Sequence, residues 1–80
     1  MSIDNEVFYE IREANILDVS ARLHKLRISK GLTLSQVSKD TGLSVASISY
    51  YESGRRYPSV AVGKKLVAYF GVQWDDIFGK

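Results

Sequence analysis

The 80-residue sequence predicts an all-α domain, because helix-spaced apolar residues, N-cap residues and glycine stops follow one another along it. In the middle of the chain, the apolar residues keep to one helical face on each side of Gly42. Thr33, Ser44 and Ser59 each precede such a segment, where a hydroxyl can cap free backbone N–H groups. Glycine adopts positive φ at little cost, so Gly42 and Gly71 are expected to end helices. The central apolar positions are Leu34, Val37, Leu43, Val45, Ile48 and Tyr51.

Residues 1–16 are predicted to form an N-terminal arm, and the residue pattern leaves its structure open. Val7, Tyr9 and Ile11 alternate as in a strand, whereas the spacing of Phe8 and Ile11 also allows a helical turn. One interpretation is a partly ordered arm that packs against the helical body. The other is a dimerisation element, in which strands of two copies pair across a two-fold axis.

The folded domain is predicted to cover residues 17–80, and its first helix runs from about Asp18 to residue 29. An acidic residue near the start of a helix is favourable for the helix dipole. The apolar stripe of this helix comprises Val19, Leu23 and Leu26. His24 is the only histidine and is expected to be a solvated residue on the helix surface.

The remaining helices are predicted at residues 34–41, 44–53 and 60–70, and a last helical turn at residues 73–78. Gly42 and its neighbours form the turn between the first two of these helices. The later segments are expected to supply core from Val60, Val62, Leu66, Val67, Phe70, Trp74, Ile77 and Phe78.

The charge of the chain is unevenly distributed. Residues 1–19 carry a formal charge of −4 and residues 20–80 carry +6. A compact basic domain is what attraction to nucleic-acid phosphates requires, although many other soluble proteins share this balance. No apolar run approaches the ~20 residues of a membrane span, and the acidic start does not have the pattern of a signal peptide. A soluble cytoplasmic protein is therefore expected.

An enzyme is not expected from the residue types present. The chain has no cysteine and one histidine, so a cysteine- or histidine-based metal cluster is excluded, and no metal or cofactor is expected. It has no glycine-rich phosphate loop. The adjacent carboxylates Asp75 and Asp76 are better explained as residues at the start of the last helix. No small-molecule substrate is indicated.

Two short helices joined by a glycine-containing turn form a known DNA-binding unit. Around this unit stand residues in a recognisable order: Leu26-Arg27, Lys30-Gly31-Leu32-Thr33, Gly42-Leu43-Ser44, Ile48-Ser49, Tyr51-Glu52-Ser53-Gly54, Pro58-Ser59, Gly71-Val72 and Asp76-Ile77-Phe78. In this order and spacing, the run from Val19 to Phe78 resembles the Cro/cI-like (XRE) helix-turn-helix family of DNA-binding transcriptional regulators. The resemblance implies a five-helix, lambda-repressor-like DNA-binding domain that binds its operator as a dimer.

The resemblance also assigns expected roles to residues of the third helix and of the loop that follows it. The positions expected to face base edges are Val45, Ala46, Ser49 and Tyr50. The positions expected to contact phosphates are Ser44, Arg55, Arg56 and Tyr57, together with Ser35 or Gln36 of the second helix. For Ala46 and Ser47, close helix packing remains an alternative, and Tyr57 packs under the loop if it does not bind a phosphate. Arg27 and Glu52 are expected to form a buried or half-buried ion pair.

Two departures from the family pattern affect the expected DNA contacts. Leu34 stands where relatives commonly carry a phosphate-binding glutamine, so Ser35 or Gln36 would have to replace that contact. The base-facing positions hold no Gln, Asn, Arg or Lys, the residues that make the strong bidentate contacts to guanine and adenine. We expect modest direct readout, with more weight on DNA shape and phosphate contacts.

The function predicted from the sequence is a sequence-specific regulator of transcription that binds double-stranded DNA. We expect a repressor that binds a pseudo-palindromic operator as a homodimer. The alternative is a protein-interaction module, in which the apolar face of Val45, Ala46 and Tyr50 contacts a protein.

Overall fold

The computed structural model describes residues 14–80, and these residues form five α-helices without a β-strand. The helices are α1 (Ile16–Ser29), α2 (Leu34–Thr41), α3 (Val45–Glu52), α4 (Val60–Phe70) and α5 (Trp74–Phe78). The predicted all-α, five-helix architecture is confirmed over this range. The predictions for the N-terminal arm at residues 1–13, including its dimerisation role, lie outside the described residues.

Three hydroxyl side chains begin the second, third and fourth helices, as predicted. Thr33, Ser44 and Ser59 each accept a hydrogen bond from the backbone N–H three residues later, at 3.0 Å, 3.0 Å and 3.2 Å. Each of these bonds satisfies a backbone donor that has no partner within the helix. The starts of these helices therefore follow from the local sequence.

The first helix begins two residues earlier than predicted, and its cap is Asn15. The Asn15 side chain accepts a hydrogen bond from the Asp18 N–H at 2.9 Å. Ala14 is buried, and its N–H donates to the Phe78 carbonyl oxygen at 3.0 Å. Residues 14–16, which we expected to belong to the arm, are thus part of the folded body, because Asn15 is itself a strong N-cap residue.

All five helices contribute side chains to one core. α1 packs against α3 and α5, while α2 packs against α3 and α4. The buried core residues are Val19, Leu23, Val37, Ile48, Tyr51, Leu66, Phe70, Ile77 and Phe78. Arg22 of α1 donates to the carbonyl oxygens of Ile77 and Gly79 at the end of α5, where a cation is favourable.

Two residues predicted for the core are exposed instead. Val60 is the first residue of α4 and precedes its buried stripe, so 62% of its surface is exposed. Trp74 stacks on Phe78, with ring centroids 4.3 Å apart, but 38% of its surface remains exposed. A Cβ atom at Gly63 would lie 2.9 Å from the Trp74 ring, so glycine at this buried position lets the indole cross α4 closely.

No helix found in residues 14–80 has both the length and the apolar character that a membrane crossing requires.

Candidate nucleic-acid interface

The turn between α2 and α3 is held by a glycine in the left-handed region and by a threonine hydroxyl. Gly42 has φ of +80°, and its N–H donates to the Ser38 carbonyl oxygen at 2.9 Å. The Thr41 hydroxyl donates to the Val37 carbonyl oxygen and accepts the Leu43 N–H. A side chain at position 42 would have room, because no atom would lie within 4 Å of its Cβ. Glycine is required here because φ is positive. The direction of α3 relative to α2 is thereby well defined.

One side of α3 is anchored in the core, and the other is open to solvent. Ile48 and Tyr51 are buried. On the opposite side, Val45, Ala46 and Tyr50 are exposed and Ser49 is half-buried. We call these four residues, Val45, Ala46, Ser49 and Tyr50, the outer face of α3.

An ion pair between Arg27 and Glu52 ties the C-terminal end of α3 to α1. The guanidinium donates from Nε to Oε2 at 2.7 Å and from Nη2 to Oε1 at 3.0 Å. Its Nη1 donates to the Leu32 carbonyl oxygen at 2.7 Å. Only 11% of the Arg27 side chain and 9% of the Glu52 side chain are exposed. The structure thus brings these two predicted partners together in a bidentate pair, which fixes α3 and neutralises the acid beside its outer face.

The two arginines after α3 lie against its last outer-face residue. The backbone N–H groups of Arg55 and Arg56 donate to the Tyr50 carbonyl oxygen at 2.9 Å and 3.3 Å. The Cζ atoms of Arg55 and Arg56 lie 5.7 Å and 5.5 Å from the centroid of the Tyr50 ring. Both side chains are exposed. Two positive charges therefore flank the C-terminal end of the outer face.

Three residues expected to bind phosphates have polar groups that already make hydrogen bonds. Ser44 donates to Ser47 Oγ at 2.9 Å while it caps α3. The Gln36 amide donates to Asp40 Oδ1 at 2.9 Å. The Tyr57 hydroxyl donates to the Ala14 carbonyl oxygen at 3.3 Å, and its ring lies 6.1 Å from that of Phe78. Of the two alternatives for Tyr57, the structure shows packing under the loop, and a phosphate contact would require the bond to Ala14 to break.

The helix-turn-helix geometry agrees with a comparison of the sequence with known protein families. Residues 23–77 match the family model HTH_3, which describes a helix-turn-helix. The chain belongs to the HTH_3 family. The predicted resemblance to XRE-type helix-turn-helix proteins is confirmed.

Several regulators are similar to this HTH_3 domain in sequence. A Sulfurisphaera tokodaii protein named as an HTH-type transcriptional regulatory protein is 42% identical over 60 residues, which are 75% of this chain and 19% of that protein. The uncharacterized HTH-type transcriptional regulator YqaF of Bacillus subtilis is 38% identical over 56 residues, or 70% of this chain and 74% of YqaF. The HTH-type transcriptional activator BcrR of Enterococcus faecalis is 31% identical over 61 residues, covering 76% of this chain and 30% of BcrR. The chain thus spans less than a third of the length of two of these three relatives.

A solved structure also matches this HTH_3 domain over most of its length. The restriction-modification controller protein C.AhdI of Aeromonas hydrophila superposes with a TM-score of 0.73 at 25% identity, over 79% of this chain and 96% of C.AhdI. Because nearly all of C.AhdI is matched, the described helices correspond to a complete domain in that protein.

Among the contacts of the HTH_3 domain that were not anticipated from the sequence, two join side chains of different helices. His24 is 55% exposed, as expected, but its Nδ1 lies 2.9 Å from Glu52 Oε1, within hydrogen-bond distance of the carboxylate that Arg27 binds. The Tyr69 hydroxyl of α4 donates to Asp40 Oδ2 of α2 at 2.6 Å. His24 lies one helical turn before Arg27 on α1, a spacing that offered a signal for the first contact. Nothing in the local pattern pointed to the second.

The hydrogen bond from Tyr69 is the main reason that the pKa of Asp40 lies below its ordinary value, and the bond from Gln36 adds to this. The same bond raises the pKa of Tyr69. A lowered carboxyl pKa stabilises the fold above the unfolded-state pKa of about 3.9, and this contribution is lost as the pH falls through the folded-state value.

The Tyr69→Phe substitution is expected to raise the pKa of Asp40 towards its ordinary value. Its destabilising effect should be present at neutral pH and should shrink below about pH 4, and it should vanish once the pH is below the lowered folded-state pKa, where the carboxyl is protonated in both states. Titration of the Asp40 carboxyl carbon by NMR measures the shift. Tyr57→Phe is the matched control, since that hydroxyl donates to Ala14 instead. An unchanged Asp40 titration in Tyr69→Phe would contradict this prediction.

Proposed function

We propose that this chain is a DNA-binding regulator of transcription that recognises a specific double-stranded operator. In this proposal α3 enters the major groove with its outer face towards the base edges, and Arg55 and Arg56 contact the phosphate backbone beside it. The regulator acts in the cytoplasm as a repressor, and a homodimer binds a pseudo-palindromic operator.

The observation that carries the proposal is the exposed outer face of α3 with two arginines at its end that form no ion pair with a carboxylate of residues 14–80. A recognition helix must project from the body, stay rigid and meet a polyanion. α3 exposes Val45, Ala46 and Tyr50 on its outer side. It is anchored in the core through Ile48 and Tyr51 and tied to α1 by the Arg27–Glu52 pair. The names of the relatives, all HTH-type regulators of transcription, support the same function.

The chemistry of the outer face favours apolar and single hydrogen-bond contacts to bases. Val45 and Ala46 match thymine methyl groups, while the hydroxyls of Ser49 and Tyr50 each offer one hydrogen bond. None of the four side chains carries an amide or a guanidinium, the groups that make the strong bidentate contacts to adenine and guanine edges. The proposed operator therefore contains A·T pairs at the contacted positions and depends on DNA shape elsewhere.

A dimer would place two copies of α3 in successive major grooves, about 34 to 36 Å apart. Selection of bound duplexes from a random library, read together with the mass of the protein and of its complex, tests the operator and the dimer. We expect a two-fold symmetric consensus and two chains per duplex. A reporter gene behind the selected operator should lose expression when the protein is present; a rise in expression would reject the repressor role.

Ser49→Ala supplies the control for base readout in the same selection. It should relax the preference at one base pair in each half-site and leave binding to mixed-sequence duplex unchanged. An identical consensus for the variant and the wild type would remove Ser49 from the readout.

The alternative is a protein-interaction module, and the apolar part of the outer face is the observation that favours it. Val45 and Tyr50 are exposed large side chains on a small domain. Binding to a mixed-sequence duplex at increasing salt separates the two functions. A DNA-binding regulator should lose affinity steeply as counterions compete, whereas a protein-binding module should show little duplex binding at low salt.

A further inference from the structure

The loop after α3 folds back onto Tyr50 through its backbone. Gly54 has φ of +77°, which reverses the chain immediately after the helix. Both N–H groups of the arginine pair then reach the same acceptor, the Tyr50 carbonyl oxygen. The loop backbone is therefore held in one place relative to the last turn of α3.

The side chains of the pair converge on the same residue. Their guanidinium carbons lie 5.7 Å and 5.5 Å from the centroid of the Tyr50 ring, within the range of a cation–π contact. Across residues 14–80 the ion pairs are those of Glu52 with Arg27 and His24, so neither Arg55 nor Arg56 pairs with a carboxylate. The two like charges therefore lie beside the same aromatic ring.

We propose that Tyr50 is a positioning residue that holds Arg55 and Arg56 ready for the DNA backbone. This inference rests on the proposed function and adds to it, because it gives Tyr50 a part in sequence-independent affinity besides its base contact. A free arginine side chain loses much rotamer freedom when it binds a phosphate. A ring that already restricts both guanidiniums removes part of this loss before the duplex arrives.

The placement itself is tested on the free protein, without DNA. In the NMR spectrum, the side-chain Hε resonances of Arg55 and Arg56 should carry the ring-current shift of Tyr50. Tyr50→Ala should abolish this shift, and Tyr50→Phe should preserve it, because phenylalanine keeps the ring and removes the hydroxyl alone. Resonances that stay unchanged in Tyr50→Ala would show that the ring does not hold the arginines.

The consequence is tested by binding to a mixed-sequence duplex, where base readout contributes nothing. Tyr50→Ala should weaken binding about two- to five-fold, the range of an exposed cation–π contact, and Tyr50→Phe should bind like the wild type. In the background of Arg55→Ala with Arg56→Ala, the Tyr50→Ala change should have no effect. Ile28→Ala is the matched control, because it shortens an exposed apolar side chain of α1 that belongs neither to the outer face nor to the arginine loop.

These measurements separate failure of the positioning role from failure of the proposed function. An equal loss on Tyr50→Ala with and without the arginines would mean that Tyr50 acts on DNA directly, and this overturns the inference. So would a loss shared by Tyr50→Phe, which assigns the effect to the hydroxyl. A wild-type protein that binds no duplex at low salt would overturn the proposed function itself, whereas the NMR experiment would still report on the ring.

Discussion

Replacing Arg27 by alanine is expected to lower the free energy of unfolding by about 3 kcal/mol or more, because Glu52 would remain mostly buried without its partner. The bidentate bond to Glu52 also raises the pKa of Arg27 above its ordinary value, so the guanidinium stays charged at every pH where the protein is studied. Chains of 80 residues are only marginally to moderately stable. The loss should therefore be a large fraction of the free energy of unfolding of the wild-type protein. Urea denaturation followed by circular dichroism measures it.

Two further variants show whether the loss comes from an orphaned buried charge. Lys25→Ala removes an exposed charge from the same helix and should change stability by less than about 0.5 kcal/mol. Replacing the pair together, with Arg27→Met and Glu52→Leu, should recover most of the loss, since an apolar pair leaves no buried charge. If Arg27→Ala costs less than about 1 kcal/mol, the pair behaves as an exposed one, and its role in fixing α3 is rejected.

The helix boundaries were the part of the fold that the sequence predicted best. A hydroxyl cap bonds to a backbone N–H three residues later, and a glycine ends a helix through its own φ. Both features can therefore be recognised from a short stretch of sequence. The predicted bounds of the second helix (residues 34–41) and of the fourth (residues 60–70) match α2 and α4. The first helix was less well predicted because Asn15, which caps it, had been assigned to the arm.

The errors in the predicted core have a common physical origin. Helical periodicity identifies the apolar face of a helix but does not say how far the neighbouring helices extend over it. Val60 lies on an apolar segment yet precedes the buried part of α4. Trp74 is covered on one side by Phe78 and Gly63 and open on the other.

Some features of the candidate site could be predicted from neighbouring residues, whereas others depend on contacts between residues far apart in the sequence. The exposed outer face of α3 and the arginines behind it follow from the order of residues along the chain. The bonds from Tyr69 to Asp40 and from Arg22 to the end of α5 join residues far apart in sequence. No pattern within one helix contains that information. The Arg27–Glu52 pair also joins distant residues, and its prediction depended on the family resemblance.

The largest effect on binding is expected when Arg55 and Arg56 are both replaced by alanine. If each neutralises one phosphate, the slope of log affinity against log salt should fall by about 1.8, and affinity at 0.1 M salt should drop on the order of 50-fold. The drop should be about equal for the selected operator and for mixed sequence, because phosphates are the same in both. Fluorescence anisotropy with labelled duplexes at four or five salt concentrations measures the slope and the affinity together.

The control for this variant must remove the same charge from a different surface. Lys64 and Lys65 are adjacent, exposed and carried by α4, so replacing both by alanine lowers the net charge equally. If net charge alone matters, both double variants should lose the same affinity. If Arg55 and Arg56 contact phosphates, the affinity of the lysine variant should stay near that of the wild type. Loss confined to the selected operator would instead assign Arg55 and Arg56 to base readout. In that case the specificity of the protein would come from its loop, and the outer face of α3 would serve mainly to insert the loop into the groove.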